Sequence, residues 1–421
     1  MLTSIKKAWA IPELRKKIIY TFLMLVLYRL VGVIPAPGVD IATVYSASSA
    51  TSLPLLDLVN MMTGNSFSNM TIMAMGITPY INSSIIMQLL CIAIPALERL
   101  SKDENGGREK INRITRYVTV GLAALQAIGL VASLGYIKSG WLNYVLVGVS
   151  MAGGTALAMW IGERITDKGL GNGVSLLIFI GILSNLFNGL ISGFRSASTT
   201  SAWIAVVIVL VLFVIMTVVV SFVELGERRI PLQIAKQVKG RRVYGGQSTH
   251  MALKVCAVGV MPLIFAYSFL AFPGTIIQLV GGTSSGAYIW WSTYMGTGTV
   301  GYMIVSALLI IGFTYFYSSI SFDPKEQAEQ LIAQGATIPG NRSKNIRRYL
   351  QTTVNRLNLF AALYLAILAA VPTLMTRSLN TSIPFAASSI LIAVSVSLET
   401  IRTLEGEMAV RGLDMDINGF M

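Results

Sequence analysis

The stretch Asp167-Lys-Gly-Leu-Gly-Asn-Gly-Val-Ser175 comes nearest to a chemical motif, because clustered glycines before an apolar run could cradle a phosphate on backbone N–H groups. It lacks a preceding strand, a GK[ST] ending and a G-x-G-x-x-G spacing, and reads better as a tight turn that starts a helix. The single histidine, His250, and the two cysteines, Cys91 and Cys256, cannot assemble a Cys/His metal cluster, and a disulfide framework is not expected. Within the apolar stretches no paired carboxylates and no Ser/His set suggest an enzyme. Arg29 lies inside the first apolar stretch, about one and a half turns from its outward end, where it can snorkel, and reads as an interfacial or partner-facing residue. Glu399 and Glu405 stand at the boundary of the last one. What these stretches offer instead is branched aliphatic pairs four residues apart, Ile81 with Ile85 and Ile178 with Ile182, each pair on one stripe of its helix. Spacing alone would place them against lipid or in a core.

The elements that must position these residues are membrane spans. Of 421 residues, 54% are hydrophobic and 12% charged, and the mean hydropathy is +0.68, far from the balance of a soluble globular protein. Runs long enough to cross a bilayer occur at about 18–34, 77–97, 114–136, 144–162, 174–193, 203–223, 253–280, 300–320, 354–375 and 384–401. An even number of spans puts both termini on one side. Of the 32 Lys and Arg residues, 28 fall in the terminal segments and even-numbered connections, and only Lys138, Arg195 and Arg377 fall in the connections opposite. That asymmetry predicts cytoplasmic termini. The basic segment 1–17 reads as a retained cytoplasmic segment rather than a signal peptide.

Residues 57–76 are apolar but dotted with Asn, Ser, Thr and Gly, so they cannot form an ordinary spanning helix. Such a segment reaches hydrocarbon depth only where protein or a water-filled cavity satisfies its backbone. The run at 77–97 reads as one crossing. Division into five and five spans would make two homologous halves inverted relative to one another, an arrangement that places a pathway at their interface.

Two inward connections are far longer than ordinary ones. Residues 224–252 alternate apolar and polar types on both sides of a Gly240-Arg241-Arg242 corner, which predicts a hairpin-like projection. In 321–352, Asp323 can cap a helix that Pro324 opens and Gly335 stops, and the turn after it carries Arg342. Long basic projections suit docking of a large cytosolic partner, and the short basic connections suit attraction to anionic lipid.

Several motifs in order, Met75-Gly-Ile-Thr-Pro-Tyr-Ile-Asn-Ser-Ser-Ile-Ile-Met-Gln-Leu-Leu90, Gly169-Leu-Gly-Asn-Gly-Val-Ser175, Gly240-Arg-Arg-Val-Tyr244 with Gln247-Ser-Thr-His250, and Ile338-Pro-Gly-Asn-Arg342, closely resemble the SecY family, the central subunit of the Sec protein-conducting channel. The resemblance implies an all-α integral membrane protein of ten transmembrane helices, in two inverted five-helix halves that close as a clamshell around an hourglass pore. The halves would be 18–193, including a plug at 57–75, and 203–401, joined by an external hinge at 194–202, with a cytoplasmic tail at 402–421.

The same resemblance implies a pore ring of Ile81, Ile85, Ile178, Ile182, Phe269 and Ile392. The plug would include Asn60, Met61, Met62, Gly64, Phe67 and Asn69, and Met70 and Met73 would add soft packing for a segment that must leave and return. A lateral gate would involve Ser84, Gln88, Gln126 and Ser268, and Arg241, Arg242 and Arg342 would contact the SecA motor or the ribosome. Implied partners are the SecE and SecG subunits, SecA, the ribosome, unfolded secretory and membrane polypeptides and anionic lipids, in a bacterial inner membrane. No cofactor is implied, and ATP hydrolysis would belong to the motor. Phe269 stands where the family commonly has an aliphatic residue, and 385–390 departs from its usual Gly-Gly-Thr sequence. A small-molecule secondary transporter is the competing class; it needs a polar or charged midplane site, and none is visible.

Overall fold

Each of the ten apolar runs contains a helix in the computed structural model, which describes residues 9–40, 63–64, 66–103, 106–133, 140–196, 200–234, 237–239, 242–244, 248–281, 285–296, 299–333, 335–339, 346–379 and 387–410. In chain order the helices of the first five runs are α1 (Pro12–Val31), α2 (Thr78–Ala93) with its continuation α3 (Pro95–Lys102), α4 (Gly107–Ser133), α5 (Trp141–Lys168) and α6 (Gly173–Ser196). The second set comprises α7 (Thr200–Leu225), α8 (Met261–Gly281), α10 (Val300–Ser321), α12 (Ile346–Leu379) and α13 (Ala387–Val410). Two short helices, α9 (Gly286–Met295) and α11 (Pro324–Ala333), lie in connections. Among the described residues, length and apolarity alone qualify five helices as membrane-crossing, or six if the bent pair α2–α3 is one span. The chain is a multi-pass membrane protein.

The second run departs from expectation. It is not one straight crossing: α2 ends at Ala93 and the chain turns by 107° into α3. Pro95 causes the break, because its ring disfavours the helical region for the residue before it. Ile94 accordingly sits at φ −110° and ψ 112°. The seventh run also divides. Its first residues finish strand β4 (Ser248–Lys254), and α8 begins only at Met261.

The chain separates into two compact units. One comprises Met1–Ser192, Gly274–Ser292 and Val396–Met421, the other Gly193–Pro273 and Thr293–Ser395. In the first, α1 and α4 pack along α5, and α2 packs along α4. The buried stripe of α5 is rich in small residues (Gly148, Ala152, Gly154, Thr155, Ala158, Gly162), which lets neighbouring backbones approach closely. The end of α13 joins this unit because Leu404 and Met408 pack with Leu14 and Leu170.

In the second unit α10 lies along α12, and Phe265 of α8 stacks on Phe313 of α10 with ring centroids 5.7 Å apart. The two long connections fold together here. Strand β1 (Glu227–Ile234) pairs antiparallel with β4 and with β5 (Ala336–Thr337), giving the order β4-β1-β5, while β2 (Gln237–Lys239) and β3 (Arg242–Tyr244) form a separate antiparallel ribbon. Asp323 accepts from the Lys325 backbone N–H at 2.8 Å and Gly335 takes φ +69°, so α11 starts and stops as its sequence indicates.

Ile230 and Leu232 of β1, Ala328 and Leu331 of α11, and Ile346 and Leu350 of α12 close one core beneath the sheet. The 34 residues of α12 extend about 51 Å, longer than a bilayer crossing, so its first turns belong to this extramembrane layer. On α7, Val207, Val211, Val214, Val218 and Phe222 are all exposed on the isolated chain. An apolar surface of that extent requires lipid or another apolar helix against it.

Candidate functional site

The segment 66–77 has no regular secondary structure, yet Phe67, Met70, Met73, Ala74, Met75 and Ile77 are buried. Its backbone groups find partners on the strand-like end of the α1 connection. Ala36 N–H donates to the Met70 carbonyl at 2.9 Å, Ile72 N–H donates to the Ile34 carbonyl at 2.9 Å, and Pro35 bridges Thr71. Local turns take care of others: Met70 N–H reaches the Phe67 carbonyl and Thr71 N–H the Ser66 carbonyl. The bend puts Met70 at φ 47°, a left-handed conformation that a non-glycine residue holds only where its surroundings impose it. Within 66–77 the polar-dotted, irregular backbone is thus satisfied by protein.

Two features hold this segment to its helices. At Gly154 of α5 a Cβ would collide with the Ile72 carbonyl, so the loop lies directly on the helix backbone. Arg29 of α1 turns inward rather than snorkelling outward. Its Nη1 donates to the Thr63 carbonyl at 3.4 Å and its Nη2 donates to the Ile180 carbonyl of α6. Reading Arg29 as interfacial missed this contact. The available signal was the rarity of an ionisable residue inside a span.

The ring positions in the first unit lie on two helices. On α2, Ile81 is buried and Ile85 half-buried, and on α6 Ile178 and Ile182 are buried, with Ile180 between them as the acceptor for Arg29. In the second unit Ile392 is buried, whereas Phe269 is 59% exposed and meets Phe313 edge-on at 6.1 Å. Of the lateral positions, Ser84 is half-buried and Gln88 exposed on α2, and Gln126 is half-buried on the adjacent α4.

Among the plug positions, Gly64 adopts φ +64°, Phe67 is buried and Asn69 exposed. Asn60, Met61, Met62, Arg241, Arg342 and the Ser268 side chain lie outside the described residues. Arg242 opens β3 opposite Lys239, which places it at the tip of the β2–β3 ribbon.

Comparison with known proteins decides the family. The family model described as SecY matches residues 71–401. The chain belongs to the SecY family. Curated SecY-family relatives named protein translocase subunit SecY include that of Streptomyces scabiei, 40% identical over 98% of this chain and 99% of its own length. That of Corynebacterium glutamicum is 38% identical over 97% and 98%. The SecY fold is equally evident among solved structures. A chain described as the structure of a protein conducting channel superposes with a TM-score of 0.69 at 19% identity, covering 98% of this chain and 99% of the other. Sec61 from a canine ribosome–channel complex gives 0.63 at 18% identity, with the same coverage. As a member of the SecY family the chain is a translocase channel subunit.

Proposed function

We propose that this chain conducts unfolded secretory polypeptides across a bacterial inner membrane and releases sufficiently apolar segments sideways into the bilayer. The near full-length match to SecY relatives, at 40% identity, carries this reading. Ile81, Ile85, Ile178, Ile182, Phe269 and Ile392 form the waist of the path. A ring of apolar side chains dewets when empty and so blocks ions, yet it gives a passing chain no hydrogen-bonding trap. The plug at 57–75 seats above the waist. Its buried part, with Met70 and Met73, supplies deformable packing that a leaving and returning segment needs. Ser84, Gln88, Gln126 and Ser268 line the lateral exit.

Both termini face the cytoplasm, as the lopsided distribution of Lys and Arg indicates. The layer built from β1, β4, β5 and α11 faces the same side and presents Arg241, Arg242 and Arg342 to SecA or the ribosome. A ribosome-bound Sec61 among the structural neighbours supports the second partner. SecE and SecG complete the assembly against exposed apolar helix faces such as that of α7, anionic lipids meet the basic connections, and SecA supplies the ATP hydrolysis.

The test is a photoreactive residue at Ile182 in the assembled translocase. A secretory chain arrested in transit should crosslink there, and no crosslink at Ile182, Ile178 or Ile81 would exclude a path through this waist.

A further inference from the structure

Two consecutive residues of α1 grip both ends of one loop. Thr63 and Gly76 lie side by side, since a Cβ on Gly76 would come within 2.7 Å of Thr63 Cγ2 and 3.5 Å of the Tyr28 hydroxyl. Residues 63–76 therefore close on themselves, with Tyr28 against one end and Arg29 against the other. Thr63 is 2% exposed. At Gly64 the guanidinium nitrogens of Arg29 sit 2.5 Å from where a Cβ would stand, so a side chain there would displace the guanidinium. The other arm of the same guanidinium is bound to the Ile180 carbonyl, between Ile178 and Ile182. A guanidinium cannot shed its charge, so within an apolar bundle its donors must find acceptors. Helix carbonyls retain a second lone pair and can serve.

We infer that Arg29 is the latch of the resting channel, a positioning residue that clips the closed loop 63–76 to the backbone of α6 between two ring isoleucines. The inference rests on the channel reading above. Departure of the loop costs Arg29 its bond to Thr63 but leaves the bond to Ile180, so the charge is never stranded. The loop is therefore held weakly enough to leave and has a fixed place to which it returns.

Resting ion conductance of the complete translocase in planar bilayers tests this. Arg29→Met should raise resting conductance about tenfold, equivalent to ~1.4 kcal/mol, the scale expected for one charge-assisted hydrogen bond. Arg29→Lys, a point charge able to reach one carbonyl, should restore part of the seal. Gly64→Ala keeps the guanidinium and pushes it aside, and should leak like Arg29→Met. Ile182→Gly serves as the reference for a broken ring. If Ile182→Gly leaks while Arg29→Met and Gly64→Ala stay sealed, the latch is wrong and the channel reading survives. If none leaks, both fall. Should Arg29→Met fail to accumulate in the membrane, Arg29→Lys decides alone, since Gly64→Ala also strains a backbone at φ +64°: a partial leak sustains the latch and a wild-type seal overturns it.

Discussion

Lys17 and Glu407 stand 390 residues apart in the chain and meet at 2.6 Å, Nζ to Oε1. Beside them, Leu14 of α1 packs with Leu404 and Met408 of α13 and with Leu170 of the α5–α6 turn. The beginning of the first helix and the end of the last are therefore on one side, as an even number of crossings demands. The pair is partly exposed and so adds little to stability, but it reports geometry. Cysteines at 17 and 407 should be joined by a short bifunctional thiol crosslinker, which bridges the span that the two long side chains now cover. A membrane-impermeant thiol reagent should reach both in inverted vesicles and neither in intact cells, and labelling from outside would reverse the assigned topology.

Neighbouring glycines on α5 give opposite expectations. A Cβ at Gly153 would meet nothing within 4 Å, whereas one at Gly154 would strike the Ile72 carbonyl. Gly153→Ala should be neutral or stabilise by about 0.5–1 kcal/mol through reduced chain entropy. Gly154→Ala should destabilise by about 1–3 kcal/mol and loosen the seal. Thermal unfolding of the purified complex and resting conductance measure the two effects separately.

Polar substitution of the ring should open it to ions. Serine at positions 81, 85, 178 and 182 should raise resting conductance in reconstituted bilayers. The increase should be seen even for Ile85→Ser alone, whose half-buried site carries the smallest packing cost. Wild-type conductance in the fourfold variant would remove the ring from the mechanism.

The extramembrane layer should fail separately from the membrane helices. Leu350→Ala empties a fully buried site in the core shared by β1, α11 and α12 and should cost about 2–5 kcal/mol locally. Protease should then cut the 224–252 connection faster while the spans stay assembled. Charge reversal at Arg241, Arg242 or Arg342 should leave that layer intact and slow motor-driven export. The difference from wild type should narrow as ionic strength rises, because salt screens both the attraction that is lost and the repulsion that is introduced.

The sequence by itself determined the features that depend on near neighbours along the chain. Ten apolar runs each contain a helix, because run length and the demand for internal hydrogen bonds leave few alternatives in lipid. Asp323, Pro324 and Gly335 bound α11 through local capping chemistry, and alternation in 224–252 marked a hairpin. Tertiary structure alone decided what distant segments do for one another. Pro95 announced a break, but not a 107° turn. The strand at 336–337 is two residues long and becomes a strand only because the edge of β1 offers it carbonyls and N–H groups. Arg29 looked like a snorkelling side chain because its acceptors at Thr63 and Ile180 lie 34 and 151 residues away. Periodicity reports which face of a helix is apolar, but the partner for a buried charge is chosen when the chain closes on itself.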